Sequence, residues 1–330
     1  MNILITGAAG FIAYHLINKL IIERKADKII GIDNINDYYD INLKLLRLKN
    51  IETLVKKYSI EYNFIKEDIT NKDTLTSICQ KYNPSHIIHL AAYAGVRYSL
   101  ENPDAFIKSN IIGFYNVLES CIRLKKKPYL IYASSSSVYG KNTQTPIISP
   151  ISLYAATKGT NEILAYYYNL QYKFPITGLR FFTVYGPFGR PDMALYKFIE
   201  NFINNETIEV YNYGNCYRDF TYIDDIVDGI VKSIENPNIE HTVYNLGTGK
   251  SVKLSAVINI IQEELIRSKL VSKFHDFDSL KKLLPMQPGD VESSCADISE
   301  TIQNFNYNPQ IDIKTGIQKM IEWYREYKNL

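Results

Sequence analysis

The residues that most constrain what this chain can fold into are Gly7-Ala8-Ala9-Gly10, set between a short apolar run and a helical pattern. Asn2–Thr6 (N-I-L-I-T) reads as a buried strand. The apolar spacing from Phe11 to about Arg24 reads as a helix, and Lys28–Asp33 as a second strand ending in a carboxylate. Gly7 permits the tight turn, Gly10 lets backbone approach a pyrophosphate, and the helix N-terminus attracts that charge. Asp33 lies 23 residues beyond Gly10, where an acid accepts both hydroxyls of a ribose. It repels a 2′-phosphate, and no arginine stands at Asn34 to receive one, so NAD is expected rather than NADP.

Strand and helix signals keep alternating: strand Tyr62–Lys66, helix from about Asn71 to Tyr82, strand His86–Leu90, helix Asn102–Leu124, strand Tyr129–Ser134. A further helix runs to about Tyr172, and strand Ile176–Phe182 closes this half. Such alternation implies an α/β fold, a Rossmann-type doubly wound parallel sheet. Asp68-Ile69 and Leu90-Ala91-Ala92 fall at strand C-terminal ends, the edge where open sheets hold ligands.

Regularity breaks from Thr183 to Asp219, a segment rich in Gly, Pro, Tyr and Arg. Within and beyond it the spacing predicts helices at about Tyr196–Asn204, Thr221–Ile234, Leu254–Leu265 and Lys314–Tyr327, with strands Ile208–Tyr213 and Val243–Leu246. The expected division is a dinucleotide-binding unit of 1–182 with about 220–246, and a smaller C-terminal α/β substrate-binding domain of 183–219 and 247–330.

Composition sets limits rather than identity. Apolar residues make up 46% and charged residues 22%, and the net charge of +2 leaves no footprint for nucleic acid or an acidic membrane. Cys79, Cys121, Cys216 and Cys295 are scattered with no C-x-x-C, which argues for a reducing compartment and against zinc. No metal is expected. The apolar N-terminal run lacks a basic leader, and no run approaches the roughly 20 residues of a membrane span, so a cytoplasmic location is expected.

The candidate chemistry lies in Ser134-Ser135-Ser136-Ser137-Val138-Tyr139-Gly140 and Tyr154-Ala155-Ala156-Thr157-Lys158. Tyrosine and lysine four apart share one helix face, and a nearby ammonium favours the phenolate. Tyr154 is thus a candidate general base with a lowered pKa, and a serine hydroxyl from the strand end a partner for the substrate's hydroxyl. With 27 Tyr in the chain, this spacing alone would carry little; the glycine loop upstream gives it meaning.

Taken with these motifs, the chain resembles the extended short-chain dehydrogenase/reductase (NAD-dependent epimerase/dehydratase) family of nucleotide-sugar enzymes. The likeness is closest to the UDP-glucuronate 4-epimerases. The segments that carry it are Gly31–Asp40 (G-I-D-N-I-N-D-Y-Y-D), Leu90–Ser99 (L-A-A-Y-A-G-V-R-Y-S) and Arg180–Pro187 (R-F-F-T-V-Y-G-P). The resemblance implies that Tyr154 is the base, that Lys158 also holds the nicotinamide ribose, and that Ser135 is the hydroxyl partner. It places Thr183 near a sugar C6 carboxylate, Arg190 and Arg218 at a uridine diphosphate, and Asp290 at the uridine ribose. Phe11, Ile12, Asn34, Asn110 and Phe181 complete the candidate cofactor contacts, and Ser136, Ser137 and Met193 those of the substrate. Related 4,6-dehydratases carry an Asp-Glu pair where this chain has Ser136 and Ser137, so dehydration is not expected. Ala13, Tyr93 and Phe188 depart from the family pattern, which bears on substrate preference rather than chemistry.

The expected reaction is therefore C4 epimerisation of a UDP-sugar, with UDP-glucuronate to UDP-galacturonate favoured by Thr183. Rival readings on the same scaffold are a UDP-glucose/galactose 4-epimerase, a uronate decarboxylase, or a non-catalytic NAD-binding regulator. The resemblance also implies a homodimer through helices Asn102–Leu124 and Ser152–Tyr172, with Ile107, Ile111, Tyr115, Leu118, Leu164 and Tyr168 as candidate contacts.

Overall fold

Six strands alternate with helices along the first 181 residues: β1 (Asn2–Thr6), β2 (Lys28–Asp33), β3 (Glu61–Lys66), β4 (His86–His89), β5 (Tyr129–Ser135) and β6 (Ile176–Phe181). With a later strand, Thr242–Leu246, they form one seven-stranded sheet, and every pairing in it is parallel. The computed structural model describes residues 1–141, 148–287 and 289–330.

The inner strands are largely apolar because both faces are covered, while edge strand β3 (E-Y-N-F-I-K) has no fully buried residue. Ile3, Ile5, Ile29, Ile88 and Ile131 point into one core, with helix α1 (Phe11–Ile22), helix α2 (Ile41–Tyr58) and the Ile223–Glu235 helix. Leu4, Ile30, Ile87 and Leu130 point into the other, with helix α3 (Lys72–Tyr82) and the helices Phe114–Ile122 and Leu153–Tyr172. The strand order is Thr242–Leu246, β6, β5, β4, β1, β2, β3. It reverses between β1 and β4, and such a reversal opens a crevice at the carboxyl ends of the strands.

Three features differ from expectation. Helix α2 is absent from the sequence reading because its buried stripe is Leu43, Lys44, Arg47, Leu48 and Ile51, two of them cationic. Asp40 caps it, accepting from the Asn42 amide at 2.9 Å. The single helix expected over Asn102–Leu124 is a broken run: Tyr98–Glu101, Pro103–Phe106, a π-helical stretch Ile107–Gly113, then Phe114–Ile122. The helix expected from Thr221 begins at Ile223, because Phe220–Tyr222 pairs in parallel with Thr183–Tyr185. Two further small sheets, Ile208–Tyr211 with Lys281–Leu284 and Tyr217–Arg218 with Val252–Lys253, lie beyond the main one.

The expected partner-facing residues need correction. Leu118 and Tyr168 are buried in the chain's own second core, since that side of each helix meets the sheet. The exposed stripe on the Leu153–Tyr172 helix is instead Ile163, Tyr166, Tyr167 and Leu170. Among the described residues no helix is long and apolar enough to cross a membrane, and no three metal-ligating side chains cluster.

Candidate active site

A cleft of about 1260 Å³ runs along the carboxyl ends of the strands. The end of it beside β1 and β2 is built mainly from backbone. Gly7 has φ +72°, and a Cβ there would fall 2.8 Å from the Ala91 amide nitrogen and 2.9 Å from its Cα. Only glycine fits, because the turn after β1 presses against the turn after β4. Thr6 and Ala91 are stitched together there, the Ala91 amide donating to Thr6 Oγ1 at 3.2 Å. Gly10 opens α1 as its N-cap, leaving first-turn amides directed at the cleft for an anion.

Asp33 ends β2 and accepts from the amides of Ala9 (3.1 Å) and Ile35 (2.8 Å). Burial raises its pKa, while those amides, Lys44 and Arg47 pull it back. Gly7, Gly10, Phe11, Ile12, Asp33, Asn34, Ile69, Leu90, Ala91, Ala92 and Phe181 all line the cleft. Two expected contacts, Asp68 and Asn110, are not among the lining residues. Asp68 accepts from Asn34 Nδ2 at 2.7 Å. Asn110, on the π-helical stretch and fully buried, holds the backbone of Tyr93 by two 2.9 Å bonds and donates to Thr157 Oγ1 at 3.1 Å. Its amide is thereby committed to shaping the loop after β4, not to touching a ligand. A backbone crevice beside a helix N-terminus, with a carboxylate at the next strand end, is the donor set a dinucleotide needs.

Ser135, Tyr154 and Lys158 meet in the middle of the cleft. Ser135 accepts from the Ser137 amide at 3.2 Å, which leaves its hydroxyl proton free to be donated. The helix with Tyr154 and Lys158 starts at the Ser152 cap, whose side chain accepts from Ala155 N. The expectation of a lowered Tyr154 pKa is not met in the free protein. Burial raises it, against the opposing pull of Ser135 and Arg190. Lys158 Nζ does not offset that burial by a hydrogen bond to the phenol, since it donates to the Ala133 carbonyl at 2.7 Å. Burial also lowers Lys158 to about 8, with Glu162 acting to raise it.

Glu162 continues the face of Tyr154 and Lys158 by one more turn, and the sequence reading passed over it. Its carboxylate accepts from Ser134 Oγ (2.5 Å), Arg180 Nε (2.9 Å) and Arg180 Nη2 (2.6 Å). This buried pair holds the strand end of the serines against the helix of the tyrosine. The i, i+4 spacing from Lys158 was its available signal.

The other expected residues, Ser136, Ser137, Thr183, Arg190, Met193, Arg218 and Asp290, line the same cleft. Arg190 forks onto Asp192 (Nε 3.0 Å, Nη2 2.5 Å) and also donates to Tyr38 Oη at 3.2 Å and the Ala94 carbonyl at 3.0 Å. Arg218 donates to the carbonyls of Tyr217, Glu292 and Val291. Asp290 lies 3.6 Å from Arg97, whose guanidinium sits over the Tyr211 ring. Pro288, in the stretch read with Asp290, lies outside the described residues. Tyr38, Tyr93 and Tyr98 pack together as an aromatic wall that the sequence did not announce. The Phe188 ring packs on Tyr14 and Trp323, away from the cleft, so its departure from the family pattern concerns packing.

The comparisons with known proteins follow this geometry. Residues 3–247 match the family model described as "NAD dependent epimerase/dehydratase family". The chain belongs to that family. It is 44% identical to Protein CapI of Staphylococcus aureus over 99% of both chains. It is 39% identical to UDP-glucuronate 4-epimerase 4 of Arabidopsis thaliana, covering 99% of this chain and 76% of that protein. The structure of UDP-glucuronic acid 4-epimerase from Bacillus cereus, in complex with UDP-glucuronic acid and NAD, superposes with a TM-score of 0.87 at 31% identity. That match covers 99% of this chain and all of the other. The family is NAD-dependent.

Proposed function

We propose that this protein is an NAD-dependent epimerase that interconverts UDP-glucuronate and UDP-galacturonate by inversion at C4. The observation that carries the reading is one cleft holding Ser135, Tyr154 and Lys158 beside the hydroxyls of Ser136, Ser137 and Thr183, with no carboxylic acid at positions 136 or 137. The relatives named as UDP-glucuronate 4-epimerases, and the Bacillus structure with that sugar nucleotide, support the choice of substrate.

Gly7, Gly10, Asp33, Ala91 and Lys158 would hold the dinucleotide. Bound NAD supplies a hydride acceptor at C4 that returns the same hydride within the turnover. Tyr154 takes the C4 hydroxyl proton, and the Ser135 hydroxyl hydrogen-bonds to the same oxygen while keeping its own proton. The tyrosine must ionise from a buried position, and Ser135 and Arg190 both favour the phenolate. Arg190, Arg218, Met193 and Asp290 anchor the uridine diphosphate, so that the 4-keto sugar can turn while its nucleotide stays fixed.

A 4-keto uronate is a β-keto acid and loses CO2 when its C5–C6 bond stands perpendicular to the carbonyl plane. Thr183 and Ser137 pin the carboxylate and keep the ring from that geometry. The second half of the chain, 183–219 with 247–330, serves as the substrate-binding unit. The apolar stripe of Ile163, Tyr166, Tyr167 and Leu170 is the homodimer face.

Purified protein incubated with UDP-glucuronate, UDP-glucose or UDP-xylose, without added NAD, tests the reading. UDP-galacturonate from UDP-glucuronate, without CO2, is expected. Turnover of the neutral sugar alone, or stoichiometric CO2, would replace it with one of the rivals. Tyr154→Phe should cut turnover by about 10²–10⁴-fold.

A further inference from the structure

Helix α2 carries a guanidinium that no step above employs. Arg47 is wholly buried, yet among the described residues no carboxylate makes a hydrogen bond or ion pair with it. Three neutral oxygens take its N–H groups instead. They are the Ala9 carbonyl at 2.8 Å, the Tyr39 phenol at 2.5 Å and the Phe188 carbonyl at 2.6 Å. Burying a cation without an acid is unfavourable, so the rigid fork of this side chain has to be doing something a smaller apolar residue could not.

Its three acceptors belong to three separate segments of the cleft wall. Ala9 lies in the phosphate-binding loop after β1, Tyr39 in the loop after β2, and Phe188 in the loop that carries Arg190. Phe188 itself has φ +55°, a left-handed conformation unusual for a side chain of its size. A second tether runs beside the first. Lys44, also on α2, donates to Asn36 O and Oδ1 and sits over the Tyr39 ring. Neighbouring Tyr38 donates to Ala94 O and to Asp192, and accepts from Arg190. Through these contacts Nε and Nη2 of Arg190 are engaged, while Nη1 has no partner among the described residues.

We propose that Arg47 is a positioning residue for the sugar nucleotide: it ties the Arg190 loop to the phosphate-binding loop, so that the free edge of Arg190 is presented to the substrate's diphosphate. The cofactor and substrate ends of the cleft are then coupled through this guanidinium. This rests on the reading of Arg190 as a contact to UDP, and the experiment separates the two.

The test is a double-mutant cycle on UDP affinity, measured by titration calorimetry on NAD-loaded protein, with NAD content assayed after purification. Arg190→Met and Arg47→Met should each weaken UDP by about tenfold, and the double variant no more than the weaker single one, since both act through one contact. For Arg47→Met, KM for the sugar nucleotide should rise while kcat stays within about twofold. Arg47→Lys keeps the charge without the fork and should not restore binding. Additive losses would assign Arg47 a general structural role and overturn the proposal, as would full rescue by lysine. No effect of Arg190→Met on UDP would overturn the reading of Arg190 instead, and with it the proposal. If Arg47→Met fails to fold, Tyr39→Phe takes its place in the cycle, with a loss of about threefold, again non-additive with Arg190→Met.

Discussion

Along the cofactor end of the cleft, main-chain groups at strand ends make most of the polar contacts. The substrate end presents arginine side chains, each fastened from behind. Gly7, Gly10 and Ala91 shape the first by bringing backbone close to backbone. Arg190 and Arg218 shape the second, held by Asp192 and by three carbonyls. Backbone recognition tolerates almost no added volume but is indifferent to most side chains. Side-chain recognition tolerates small changes and can be tuned one residue at a time.

That contrast can be broken most severely at Gly7. Gly7→Val places a β-branched residue at φ +72° with a Cβ 2.8 Å from the Ala91 amide. The purified variant should carry no NAD and show no turnover, read by ultraviolet absorbance of the released nucleotide. A loaded, active variant would show that the crevice yields. At the opposite end, Arg218→Met should raise KM for UDP-glucuronate by about tenfold with kcat nearly unchanged, as expected of a contact made equally in ground and transition states. A matching fall in kcat would place Arg218 in the chemical step.

Thr183→Val sharpens the comparison further. Removing one hydroxyl should cost about threefold in kcat for the uronate and release measurable CO2, with neutral UDP-sugars unaffected. Unchanged uronate turnover and no CO2 would remove its role.

The last effect concerns pH. Lys158 titrates at about 8 in the folded chain against 10.5 for an ordinary lysine, because burial disfavours its charge. Between those values the unfolded chain holds a proton the folded one has released, so this residue makes stability rise with pH from about 8 to about 10.5. Urea unfolding at several pH values should show that rise in the native protein and a flatter profile in Lys158→Met. Parallel profiles would mean that the lysine is charged throughout.

The difference between the two ends also explains what the sequence disclosed. The parallel sheet and the glycine turn were legible because strand periodicity and backbone geometry are local. Tyr154 and Lys158 were legible through helical spacing. Helix α2 was not, because Lys44 and Arg47 interrupt its apolar stripe to hold loops that only the fold brings near. The bonds of Asn110 were hidden for a related reason: it lies on a π-helical stretch and its amide meets the Tyr93 backbone. The phenol's raised pKa was hidden because spacing shows that a lysine is near but not where its ammonium points.

The central claim is that the hydrogen on C4 leaves and returns within a single turnover on one protein. UDP-glucuronate carrying deuterium at C4 tests it most directly, with the product examined by mass spectrometry and proton NMR in ordinary water and no NAD added. The account predicts UDP-galacturonate that retains the deuterium at C4. Product in which the label has exchanged with solvent would contradict it.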